Sequence, residues 1–124
     1  MTHGYQMYQE LSISNEVLEA TPVKLICLLL DKALQQVEVI QQSIEGKNIH
    51  AKFTAIRRVN DIVAYLRDCL NMQDANTTAV AQSFDAVYIL IEKKLFRVSI
   101  QNNVAELSEI REMFSQLRSA WANL

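Results

Sequence analysis

The sequence predicts an all-α fold, an antiparallel up-down four-helix bundle carrying an N-terminal arm. Three observations predict it. The 124 residues include two glycines, Gly4 and Gly46, and one proline, Pro22. That is too few for the many tight turns of a sandwich or barrel. Half of the residues are apolar and 21% are charged, enough apolar surface to offset the entropy of ordering the chain. Apolar residues also recur every three or four positions over four long stretches, as in helices that bury one face. The length suits one domain.

Residues 1–20 read as the arm and 21–124 as the bundle. In the arm, Tyr5, Met7, Tyr8, Leu11, Ile13, Val17 and Leu18 fit no single helical stripe. The first helix opens at Thr21, a capping residue, with Pro22 at the position where a missing N–H costs nothing. Its stripe is Ile26, Leu29, Ala33, Val37, Ile40 and Ile44. Gly46 is the expected stop, in the left-handed conformation. The second helix runs from Asn48 to Leu70, with Ile49, Phe53, Ile56, Val59, Val63, Leu66 and Leu70 inward. The polar stretch 71–78 is a loop. A third helix carries Val80, Phe84, Val87, Ile91, Leu95 and Val98. Asn102 and Asn103 interrupt the pattern, and Asn103 with Glu106 has capping-box spacing. The fourth helix carries Val104, Leu107, Ile110, Phe114, Leu117, Trp121 and Leu124. Helices of about 20–24 residues are roughly 30–36 Å long, and short connections make successive ones antiparallel.

The net charge is −2, with six basic and seven acidic residues in each half. No basic stripe of the kind that binds nucleic acid is present. Cys27 and Cys69 each lie among apolar residues and read as free thiols of a reducing compartment. Met1–Glu10 is polar, with no signal-peptide core, and no apolar run is long enough to cross a membrane. A cytoplasmic protein is expected.

Little in the sequence suggests catalysis. Two His and two Cys show no metal-ligand spacing, and no Glu-x-x-His motif occurs. No phosphate loop or nucleophile elbow is present. No cofactor or metal is expected. His50 opens the second helix and would be the centre of a phosphotransfer bundle, but Lys52 stands at the wrong offset for that motif. Glu106, Glu109 and Glu112 read as a solvated acidic edge, and Lys93, Lys94 and Arg97 as a basic one. The run Leu25-Ile26-Cys27-Leu28-Leu29-Leu30 covers every side of a helix. Either this helix is central, or part of the run lines an apolar groove for a partner helix.

The run from Ala20 to Leu34 resembles the opening motif of the flagellar secretion chaperone FliS family, with Leu30 and Lys32 where that motif has tyrosine and glycine. Ile62-Val63-Ala64-Tyr65-Leu66-Arg67, Phe84-Asp85-Ala86-Val87-Tyr88 with Lys93-Lys94-Leu95-Phe96, and Leu117-Arg118-Ser119-Ala120-Trp121 resemble three further segments of the family in order. Tyr8-Gln9 stands where the family has a tyrosine-containing arm. The resemblance spans about residues 5–124. It implies a cytoplasmic chaperone, not an enzyme, that binds the C-terminal helical segment of flagellin. It would keep that segment from polymerising early and present it to the flagellar export gate. The expected partner-binding residues are Tyr8 of the arm, Leu25, Leu28 and Leu29 of a groove wall, and Asp31 and Tyr88 as hydrogen-bonding groups. Lys93 and Lys94 would meet client acids. A helical adaptor for another client, a phosphotransfer bundle using His50 and a structural homodimer are the alternatives.

Overall fold

The computed structural model describes residues 22–71 and 78–123. The arm with Tyr8, the Thr21 cap and Leu124 lie outside the described residues, as does the side chain of Val80. Four helices make up the rest: α1 (Pro22–Glu45), α2 (Ile49–Asn71), α3 (Thr78–Gln101) and α4 (Val104–Ala122). They match the four expected stretches to within a residue or two.

Each helix packs on two neighbours. α1 touches α2 and α4, α3 touches α2 and α4, and no diagonal pair is in contact among the described residues. Cross-helix pairs fix the direction. Arg118 of α4 reaches Asp31 of α1, and Arg111 reaches Glu38. Seven residues up α1 are therefore seven residues down α4, which is antiparallel packing. The core runs along the centre of this ring. Leu29, Leu30, Ala33, Val37 and Ile40 of α1 are fully buried, as are Ile91, Leu95 and Val98 of α3 and Leu107, Ile110 and Phe114 of α4. Each large apolar side chain buried this way contributes about 1.5–3 kcal/mol.

The turns use side-chain chemistry more than glycine. Gly46 was expected to adopt the left-handed conformation, but its neighbour Lys47 does so, with φ 57°. Asn48 N–H donates to Ser43 C=O (2.8 Å) and Lys47 N–H to Ile44 C=O (3.2 Å), the paired bonds of a Schellman cap. Asn48 Oδ1 then accepts Ala51 N–H at 3.0 Å and starts α2. The turn between α3 and α4 likewise joins a left-handed residue to an asparagine cap. Asn102 is left-handed, φ 54°, and Asn103 caps α4 by accepting Glu106 N–H at 3.2 Å. Only half of the expected capping box forms, because the Glu106 carboxylate turns to Arg97 and Lys94.

The stripe of α2 departs from expectation at its start. Ile49 and Phe53 were placed in the core, yet they are 68% and 49% exposed. The inward position of that turn belongs to Lys52, which is 7% exposed. Val104 of α4 is also exposed rather than buried.

Candidate partner-binding surface

The long apolar run of α1 serves mainly the core. Ile26, Cys27, Leu29 and Leu30 are buried. Leu25 is half-buried against the core cluster, and Leu28 is half-buried. Leu29 has no exposed surface, so a groove wall on α1 cannot include it. Asp31 accepts a hydrogen bond from Arg118 Nε at 2.9 Å. It does not meet Tyr88, because α1 and α3 are diagonal.

Tyr88 is fully buried, and among the described residues its hydroxyl has no well-formed hydrogen bond. It therefore cannot offer that hydroxyl to a client from the surface of this bundle. Burial pushes its phenol up to about 12, against a smaller opposing pull from the Trp121 indole N–H. Among the described residues that indole N–H is likewise without a well-formed hydrogen bond. The Trp121 ring lies 5.1 Å from Phe84, within the range of favourable aromatic pairs, and closes this end of the bundle.

The expected basic and acidic edges face each other. Lys94 donates to Glu106 at 3.2 Å and also pairs with Glu109, and Arg97 pairs with Glu106. These bonds hold Lys94 and Arg97 in their charged forms above the usual range, and Arg97 with Lys94 holds Glu106 below it. Lys94 is thus committed to α4. Lys93 is exposed. Among the described residues the expected partner-binding positions do not form one surface.

A different surface does form, at the outer seam of α2 and α3. Arg67 of α2 reaches Asp85 at 2.7 Å and Glu92 at 2.9 Å on α3, so those three residues mark the facing edges. Hydrogen bonding to Asp85, more than the charge of Glu92, raises the Arg67 pKa. Helical periodicity puts Ile49 and Phe53 on the edge of α2 that carries Arg67, and Phe96 on the edge of α3 that carries Glu92. Ile100 lies one turn beyond Phe96. Phe96 is 66% and Ile100 63% exposed. The seam is therefore ionic at one end and apolar at the other. Phe96 and Ile100 sit off the Ile91–Leu95–Val98 stripe. Two large apolar residues one turn apart and off the buried stripe were the available signal, and the sequence reading passed over them. His50 is exposed in the first turn of α2.

Among the described residues no group of His, Cys, Asp and Glu could hold a metal, and no helix is long and apolar enough to cross a membrane. Fold and surface define a helical binding module with an exposed apolar seam. The family model for flagellar protein FliS matches residues 4–124, and the chain belongs to that family. The flagellar secretion chaperone FliS of Vibrio cholerae is 24% identical over 121 residues, covering 98% of this chain and 88% of that protein. FliSB of Pseudomonas aeruginosa, also named a flagellar secretion chaperone, is 25% identical over 116 residues, 94% of this chain and 90% of its own length. The Escherichia coli FliS is 20% identical over 119 residues, 95% and 86% of the two chains.

Proposed function

We infer that this chain is a cytoplasmic flagellar secretion chaperone whose client is the C-terminal helical segment of flagellin. It holds that segment apart from other flagellin copies before export and delivers it to the export gate. Family membership supports the chaperone role. The observation that carries the client class is the row of exposed apolar side chains at the α2/α3 seam. Ile49 with Phe53 and Phe96 with Ile100 are each one helical turn apart, the spacing that receives the apolar face of an amphipathic helix. Leu25 and Leu28 on α1 extend the proposed contact to a second face, and the Tyr8 arm completes it.

Isothermal titration with the C-terminal ~50 residues of the same organism's flagellin tests the reading, a length suited to coupled folding over a large surface. One-to-one binding with a negative heat-capacity change is expected. A folded bundle that takes up no heat with this segment would sink the flagellin reading. Self-association that a client peptide cannot compete away would favour a homodimer.

A further inference from the structure

Among the described residues Lys52 is the buried charge that has no acidic partner. Its ammonium donates to Ser99 C=O at 3.1 Å and to Asn102 Oδ1 at 2.8 Å. The Phe53 ring centroid is 4.5 Å away. All three neighbours are neutral, and no carboxylate among the described residues pairs with it. Buried charges are ordinarily paired, because neutral dipoles repay only part of the lost hydration. The ammonium therefore keeps the capacity to take an anionic partner.

The surroundings suit one. Lys52 lines a cavity of roughly 350 Å³ between the two turns at this end of the bundle. Lys47 brings a second cation to the same cavity, and Asn48 and Asn102 bring amides. Lys47 is held there in the left-handed conformation, and so is Asn102. Ile49 lines the cavity while remaining 68% exposed, so the cavity is continuous with the apolar seam. Two cations and neutral amides beside an apolar row complement an acidic side chain on an amphipathic helix.

We propose that this cavity is a carboxylate pocket, in which Lys52 receives an Asp or Glu side chain of the client helix lying on Ile49 and Phe53. The inference rests on the client reading above and adds a register to it. An apolar row alone lets a helix slide by a turn. One acid seated on a buried cation fixes the helix lengthwise, because a misplaced register leaves the acid outside the pocket.

The first test needs no client. The full chain is titrated with sodium acetate against sodium chloride at matched ionic strength and followed by amide NMR. Saturable shifts are expected at Lys52 and the Asn102 side chain with acetate alone. They should vanish in Lys52→Met. They should also vanish in Asn102→Asp, which sets a carboxylate against the ammonium, in a residue type that tolerates the left-handed backbone. The second variant keeps the test decisive should the first fold poorly. Wild-type shifts that do not saturate, or an unchanged response in both variants, overturn the pocket.

The second test uses the flagellin segment. Lys52→Met should weaken it at least about tenfold. Neutralising one client Asp or Glu should weaken wild type equally and leave Lys52→Met unaffected. Loss of affinity on amidating the client's C-terminus, with none on neutralising its acids, would overturn the side-chain assignment. Acetate binding without any flagellin binding would sink the client reading and leave the anion pocket standing.

Discussion

Two apolar regions of this bundle meet opposite fates. The six-residue run at the start of α1 is the greasiest stretch of the chain, and most of it is sealed, with Leu29 and Leu30 fully buried. The apolar residues at the α2/α3 seam are sparser, yet Ile49, Phe96 and Ile100 each expose more than three-fifths of their surface. The difference lies in the neighbours. Around α1, side chains of α2 and α4 close on the helix, so even a residue off the main stripe finds cover. At the seam the two facing edges are held at one end by Arg67 and at the other by Lys52, and the apolar residues lie outside the line that those contacts draw. Local hydrophobicity therefore does not mark the proposed binding surface. Departure from the buried stripe does.

The largest effect that could break this contrast is on stability. Leu30→Ala should cost about 2–5 kcal/mol, as for large core side chains cut back to alanine. Phe96→Ser should stay within about 0.5 kcal/mol, as for exposed positions. Chemical denaturation of both variants checks this. Client titration reverses the ranking, since Phe96→Ser should lose affinity while still fully folded. Equal destabilisation by the two substitutions would show that Phe96 belongs to the core and that the seam is no open surface.

Much of this was legible in the sequence. Helix positions followed from apolar spacing, and the Asn103 cap from its distance to Glu106. The two turns were placed correctly, although the left-handed residue of the first is Lys47 and not Gly46. The paired hydrogen bonds of the cap hold that conformation in a residue that bears a cost for it. The site was less legible, for a physical reason. A helical stripe is read by assuming that apolar residues point inward. Lys52 breaks the assumption by taking an inward position and leaving Ile49 and Phe53 outside. Periodicity cannot reveal such a swap, because Ile49, Phe53 and Ile56 fit the helical repeat as well as Lys52, Ile56 and Val59 do. The charged edges failed differently. Lys94 and Glu109 lie on separate helices, and nothing local indicates that they meet. Asp31 and Tyr88 were grouped by motif, whereas the ring topology puts their helices on opposite corners.

A second, smaller effect probes the inner side of α3, the helix whose outer side carries Phe96. Tyr88 is buried and its phenol is pushed from 10.0 up to about 12. As pH rises past 10, the unfolded chain gives up this proton while the folded chain keeps it. The associated stability is fully present below about pH 10 and is lost progressively up to about pH 12, amounting to about 2–3 kcal/mol. Denaturation at stepped alkaline pH should show this fall, and Tyr88→Phe should flatten it. Ultraviolet titration of wild type against Tyr88→Phe should show the Tyr88 phenol ionising near pH 12. A Tyr88 that ionises near pH 10 would mean that solvent reaches the inner side of α3, which would erase the contrast between its two faces.

The smallest expected effect concerns the ionic end of the seam. Arg67, Asp85 and Glu92 each remain about a third exposed, so water and salt screen much of their attraction. Arg67→Met should therefore cost no more than about 1 kcal/mol, and that cost should shrink as salt is added. Denaturation at low and high ionic strength measures both. The outcome discriminates between two roles for the seam. A small, salt-sensitive loss fits an edge whose ionic clasp only sets the spacing of α2 and α3, leaving the apolar end free to accept a helix. A loss of several kcal/mol that salt does not diminish would make Arg67 a structural joint. The exposed apolar residues beside it would then lie on a surface too tightly braced to adjust to a client, and the binding face would have to be sought around Leu25 and Leu28 of α1.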